Sequence, residues 1–325
     1  MASSSREPRV RVICLGETML MFAPPQNERI EYSLQFNCLH GGAESNVAIG
    51  LERLGMHAAW IGKLPYNALG RKIVNELRSF GVDTRGVVWT ETGRVGTFFF
   101  EWAQDPRPLK TIYDRANSAA TTMVADDLDW DYIGAADWLQ LTGITPALSP
   151  TTRVRTIEIA RRARALGLKV LFDVNYRSLL WSREEACGVC AEILQHTHIV
   201  VGSEPDLAMV LGETLDRREA LRRVVGEHGC DTAVMTLGAE GCLGFDGTSY
   251  YEVPAHHVDI YNRLGRGDAF DAGLLYGSIM RDLETGLAYG CAMAALKMTV
   301  PQNIPLVDKE DVERLVAGRY IDMVR

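Results

Sequence analysis

The sequence predicts an α/β fold: a mostly parallel sheet with helices on both faces. Three observations carry this. Short apolar runs rich in Val and Ile alternate with helical-period segments along most of the chain. The pattern turns helical after residue 255, and no repeat, low-complexity tract or linker divides it. Strands alternating with helices call for parallel pairing through crossovers, with both sheet faces covered.

Taken in order, "VRVICLG" reads as the first strand and "ESNVAIGLERLG" as a helix closed by Gly55. Strand "AAWIGKL" and helix "ALGRKIVNELRSFG" follow. Next come strand "DWLQLTG", helix "TTRVRTIEIARRARALG" and strand "LKVLFDVN". Helix "REEACGVCAEILQ", strand "HIVVGS", helix "REALRRVVGEHG" and strand "DTAVMTLG" continue the alternation. "GDAFDAGLLYGSIMRD", "LETGLAYGCAMAALKMTV" and "KEDVERLVAG" make a helical finish. Residues 17–39 and 86–116 break the rhythm, being strand-like and turn-rich, with the aromatic patches "GTFFFEW" and "TIYDR". They read as insertions forming a small β lid on one domain spanning 10–325, with 1–9 a flexible tail.

Composition narrows the function. The 325 residues are 47% hydrophobic and 23% charged, which is globular. A net charge of −8 argues against a nucleic-acid surface, which needs a basic face. No run of about 18 apolar residues spans a membrane. "MASSSREPR" lacks the apolar centre of a signal peptide, so a cytoplasmic location is expected. Seven cysteines scattered through apolar segments read as reduced core thiols. Cys187 and Cys190 sit in a helix-like stretch with no second pair at ligand spacing.

In open α/β sheets ligands bind beyond the carboxyl ends of strands, and several polar groups fall there. In "NRLGRGDAF" the glycines Gly265 and Gly267 precede a helix, with Asp268 in its first turn. Exposed N–H groups at a helix start attract an anion, and an aspartate there can take a proton from whatever attacks it. A tight turn with a capping aspartate reads the same stretch equally simply. Gly41 and Gly42 precede a helix carrying Asn46, which suits hydroxyl recognition or a plain helix start. Asp173, Asn175 and Arg177 follow a strand, and Tyr113 and Arg115 lie in the lid segment. Two converging arginines would suit a carboxylate or phosphate; solvated surface arginines are the alternative. Thr236, Gly238 and Gly241 form a glycine-bracketed loop fit to underlie a nucleotide. The chain has no GxxxxGK[ST] phosphate loop, and no GxGxxG lies early between a strand and a helix.

Together "GGAESNVAIGLERLG" and "GRGDAFDAG" resemble the two signature regions of the PfkB (ribokinase-like) carbohydrate kinases, and the resemblance covers nearly the whole chain. Within that family "LTGITPALSP", "DVNYRSLLW" and "YDRANSA" look like 2-keto-3-deoxygluconate kinases. The resemblance implies ATP and Mg²⁺ as cofactors and Asp268 as the base acting on a sugar's primary hydroxyl. It implies an anion hole from the N–H groups of Gly265, Arg266 and Gly267. Gly42, Asn46, Tyr113, Arg115 and Arg177 match substrate contacts, with Ser203, Thr236, Gly238 and Gly241 on the nucleotide side. Asp206 or Glu204 matches the metal-associated position. The partner implied is a small-molecule sugar or sugar acid, and a homo-oligomer is expected. A fructokinase and a catalytically silent sugar-binding regulator are the alternatives.

The chain departs from the family at several places. Arg266 replaces the usual alanine, Asn262 a common aspartate, and Ser203-Glu204-Pro205-Asp206 the usual Asn-x-x-Glu. "GTFFFEW" lacks a tyrosine, and "VPQNIP" is unusual on the adenine side.

Overall fold

The computed structural model describes residues 9–25, 28–103 and 107–319. Its strands, in chain order, begin with β1 (Val12–Leu15), β2 (Met19–Ala23), β3 (Asn37–Gly41), β4 (Ala58–Ile61) and β5 (Lys63–Pro65). Then come β6 (Val88–Thr90), β7 (Thr97–Glu101), β8 (Lys110–Asp114), β9 (Trp138–Thr142) and β10 (Lys169–Asp173). β11 (Ile199–Ser203), β12 (Thr232–Thr236), β13 (Cys242–Phe245) and β14 (Tyr250–Val253) follow. Among the described residues, eight strands form one sheet in the order β14-β13-β12-β11-β10-β9-β1-β4. The run from β12 to β4 is parallel, and β13 and β14 extend it antiparallel. This is the mostly parallel sheet that the alternation of strands and helices predicts.

The pleat explains why the strands are apolar throughout. Along β1, Val12 and Cys14 face one core, and Ile13 and Leu15 the other. Leu171 and Phe172 of β10 divide the same way. Helix starts follow local chemistry. Ser149 caps Pro150–Ala165, and Ser182 with Glu185 closes a capping box on Arg183–Leu194.

Three differences from the sequence reading have local causes. "AAWIGKL" is two strands, because Gly62 lies where a Cβ would strike the Trp60 ring and the Gly16 carbonyl. The chain bends there, and β5 pairs with β6 instead of joining the main sheet. β6 therefore leaves the 86–116 segment for that two-stranded ribbon. The segment's remaining strands, β7 and β8, join β3 and β2 in a four-stranded sheet of order β3-β2-β7-β8. The β13–β14 hairpin was not anticipated, although Asp246-Gly247 between two apolar runs is a hairpin signal. Gly247 takes φ 88°, and Asp246 accepts from the amides of Thr248 and Ser249.

The last helices build the functional end. Arg266–Met280 and Leu283–Met298 form an antiparallel hairpin whose backbones touch at Gly273, Gly277, Gly286 and Gly290. Close contact over the full hairpin returns the end of the second helix to the start of the first.

Candidate active site

A cavity of about 960 Å³ opens at the carboxyl ends of β10, β11 and β12, with the four-stranded sheet as one wall. Its lining includes Gly42, Asn46, Tyr113, Arg115, Arg177, Ser203, Asp206, Thr236 and the whole stretch 263–268. Most of the residues singled out from the sequence thus meet in one place. Three do not line it: Glu204, Gly238 and Gly241.

Asp268 stands in the first turn of Arg266–Met280. Its Oδ2 accepts from Asn46 Nδ2 at 2.6 Å, and Asn46 also reaches the Asn303 carbonyl at 3.3 Å. The Asn46 amide donors are therefore spent on the aspartate and its neighbour, while its buried Oδ1 has no protein partner. Burial pushes the Asp268 carboxyl up to about 6, against the Asn46 hydrogen bond and the charges of Arg177 and Lys297.

The two glycines beside Asp268 have different reasons to be glycine. Gly265 takes φ 82°, and a Cβ there would lie 2.0 Å from the Asn303 carbonyl oxygen. Gly267 has nothing within 4 Å of a Cβ position, so its absent side chain leaves open space over the helix start. The N–H groups of Gly265 and Gly267 have no protein acceptor among the described residues. That of Arg266 leans toward the Arg263 carbonyl at 3.3 Å. Of the three donors that the resemblance implies, the Arg266 N–H is the one engaged in a turn bond. What Arg266 offers instead is an exposed guanidinium at the cavity, next to that of Arg263.

The turn after β10 presents Arg177. Asn175 holds a left-handed φ of 36°, its amide and side chain both donating to Asp173 at 3.2 and 2.8 Å. Arg177 is exposed and makes no ion pair among the described residues. Arg115 differs. Its Nε donates to Glu17 at 2.8 Å, its second nitrogen also bonds Glu17, and so does Ser118 Oγ. Glu17 and Arg115 are both buried. Both arginines expected to converge do line the cavity, but the Arg115 charge is already matched by Glu17. Tyr113 is exposed, tilted against Phe98 with ring centroids 5.7 Å apart.

Ser203 and Asp206 line the cavity as a capping box, Ser203 Oγ donating to Asp206 Oδ2 at 2.7 Å. Glu204 lies outside the cavity lining, paired with Arg217 at 3.3 Å. Gly241 takes φ 113°, where a Cβ would lie 2.0 Å from the Val253 carbonyl oxygen, so the entry to β13 requires glycine there. Gly238 takes φ 64° beside open space, and Thr236 reaches the cavity.

A set of buried carboxyls lies behind the base, of which sequence reasoning singled out Asp173 and missed Glu44 and Asp271. Glu44 accepts from Thr142 Oγ1 at 2.7 Å and Thr145 Oγ1 at 3.1 Å, and burial pushes it up to about 7. Burial and the neighbouring Asp206 push Asp173 up to about 7. Asp271 is raised by burial and by Asp173, and its Oδ2 has no partner. Glu44 stood visible in "GGAESN", but its threonine partners lie 98 and 101 residues away. No group of three or more His, Cys, Asp or Glu among the described residues is arranged to hold a metal ion alone. The donors facing the cavity at Asp173, Ser203 and Asp206 are all oxygen, which fits a hard divalent cation sharing its other positions with phosphate and water.

Residues 10–309 match the pfkB family carbohydrate kinase. The 2-dehydro-3-deoxygalactonokinase of Haloferax volcanii is 39% identical over 308 residues, covering 94% of this chain and 96% of that protein. The 5-dehydro-2-deoxygluconokinase of Bacillus subtilis is 25% identical over 322 residues, 97% of this chain and 98% of that one. The crystal structure of 2-dehydro-3-deoxygluconokinase from Thermotoga maritima superposes with a TM-score of 0.88 at 31% identity, covering 95% of this chain and all of that one. With the whole fold and both glycine-rich stretches accounted for, the chain belongs to the pfkB family of carbohydrate kinases and is itself a carbohydrate kinase.

Proposed function

We propose that this kinase transfers the γ-phosphoryl group of ATP to the terminal primary hydroxyl of a 2-keto-3-deoxy sugar acid. The gluconate form, giving its 6-phosphate, is the first substrate to test, and its galactonate epimer the second. The observation that carries the reading is the convergence of Asp268, the open Gly267 and the unpaired Arg177 on one cavity. Asp268 accepts the hydroxyl proton as the alcohol oxygen attacks phosphorus. The Gly265 and Gly267 N–H groups and the exposed arginines stabilise the charge spread over the transferring group, the main task in phosphoryl transfer. Asp206 and Asp173, which line the cavity, would help hold a Mg²⁺ ion arriving with the nucleotide, and that ion would supply further neutralising charge. Thr236 and Gly238 flank the nucleotide.

Arg177 is the natural partner of the substrate carboxylate, and Tyr113 borders the sugar. Arg115 acts chiefly by pairing with Glu17 and holding the wall in place. The four-stranded sheet closes over the sugar and excludes water, which otherwise competes as phosphoryl acceptor. The galactonate-type relative and the gluconate-type structure support the substrate class; the choice of epimer is set by C4 stereochemistry.

The test is Arg177→Met in an ADP-release assay, with ³¹P NMR of the product. A carboxylate contact should raise KM for 2-keto-3-deoxygluconate about 10–100-fold, the loss of a charge-assisted pair. A KM within twofold of wild type, or phosphate on any carbon but the terminal one, contradicts the reading.

A further inference from the structure

Lys297 lies in the last turn of Leu283–Met298 and is fully buried, with 0% of its surface exposed. Lysines are almost never placed so without a paired charge. Here Nζ donates to the Asn262 carbonyl at 3.2 Å, and no ion pair is made among the described residues. The stem runs directly under the glycine turn: a Cβ on Gly265 would lie 3.4 Å from Lys297 Cε. Burial lowers the ammonium to about 8, opposed by the Asp268 charge, and Lys297 in turn favours the ionised form of Asp268.

The segment entering the turn is held from several sides. Asn262 Nδ2 donates to the carbonyls of Pro301 and Gln302 at 2.9 and 3.1 Å, and its Oδ1 accepts from the Leu264 amide. A methionine of similar length would fill the same space without the desolvation cost of an ammonium. The end of its own helix, rich in carbonyl oxygens, favours the charge. The Asn262 carbonyl and the helix end accommodate the cation, and the turn beside it gathers negative charge during transfer.

We propose that Lys297 is a positioning residue for phosphoryl transfer, an internal cation that fixes the Asn262–Gly265 turn and offsets the negative charge collecting over that turn and on Asp268. This rests on Asp268 and the turn serving the transfer step. Arg177, Asp173, Asp271 and Glu44 also bear on Asp268. Among the described residues, Lys297 is the one that supplies its charge from beneath the turn.

The experiment compares wild type, Lys297→Met and Lys297→Ala for ADP release across pH, with thermal midpoints in parallel. Lys297→Met should stay folded with kcat reduced about 100-fold, the scale of losing one preorganised electrostatic contact. KM for the sugar acid should change little. The acid limb of kcat/KM should move to higher pH, because removing the cation makes Asp268 harder to ionise. Ethylammonium chloride should restore part of the Lys297→Ala activity by refilling the site. Wild-type kcat with an unmoved acid limb overturns the proposal, as does Lys297→Ala activity indifferent to ethylammonium.

If the variants do not fold, ¹³C-lysine NMR of the wild type decides. The Lys297 midpoint should rise when ADP, Mg²⁺ and aluminium fluoride add negative charge above the turn; an unchanged midpoint overturns the proposal. Asp268→Asn in the same assay separates the two readings. Full activity there removes Asp268 from the transfer step, whereas a Lys297 result alone bears on the cation.

Discussion

At Asp268 burial and function pull in opposite directions. The base must be ionised to accept a proton, yet burial pushes it up to about 6. The kcat/KM profile should therefore fall on its acid side with a midpoint near pH 6, measurable by initial rates between pH 5 and 8. A midpoint near 4 would mean that the carboxyl is better solvated than its surroundings indicate. The paired glycines separate just as sharply. Gly265→Ala meets both a left-handed backbone and a carbonyl contact and should lower stability by about 1–3 kcal/mol in urea unfolding. Gly267→Ala meets nothing in the protein, so it should unfold like wild type while kcat drops, because the methyl occupies the phosphoryl group's space. Both glycines, Asp268, Asn46 and Arg177 were legible because each belongs to a short motif at a strand end or helix start. Glu17, Glu44, Asn303 and Lys297 were not. Their roles come from partners brought together by the fold, such as Arg115, 98 residues from Glu17.

The helices and the main sheet were readable because their periods and caps are local properties. The ribbon and the edge hairpin turned on a bend at Gly62 and on antiparallel pairing, which the βαβ rhythm does not signal. In the four-stranded sheet's corner of the cavity, the buried Glu17–Arg115 pair is the main electrostatic tie. Removing one partner strands a buried charge. Arg115→Met should therefore cost about 3–5 kcal/mol in chemical unfolding, and the Glu17→Gln, Arg115→Met double variant should recover part of it. A double variant as unstable as the single one would show that the Arg115 stem, rather than the charge pair, holds the wall. Were Arg115 instead a direct carboxylate ligand, the double variant would regain stability while losing all affinity for the sugar acid.

Across the whole molecule, the floor of the cavity concentrates carboxyls whose folded values exceed their unfolded ones. Glu44 and Asp173 are both pushed up to about 7, from ordinary values of 4.5 and 3.8. Between the unfolded and folded values the native state holds protons that the unfolded chain has released. Their stabilising contribution is full below about pH 4 and is lost as pH rises through about 7. Glu44→Gln should flatten the fall in thermal midpoint from pH 5.5 to 8, and an unchanged slope would place its proton uptake elsewhere. A cavity with this charge pattern is expensive to fold and is matched to a reaction that brings its own cation and phosphates. That reaction is best tested by ADP release with ATP and Mg²⁺ over a panel of sugars and sugar acids, wild type beside Asp268→Asn. Turnover should be greatest on 2-keto-3-deoxygluconate or its galactonate epimer and fall at least 100-fold in the variant, the scale of losing a general base. Turnover confined to neutral sugars would contradict the carboxylate contact, and an Asp268→Asn enzyme as active as wild type would contradict the assigned base.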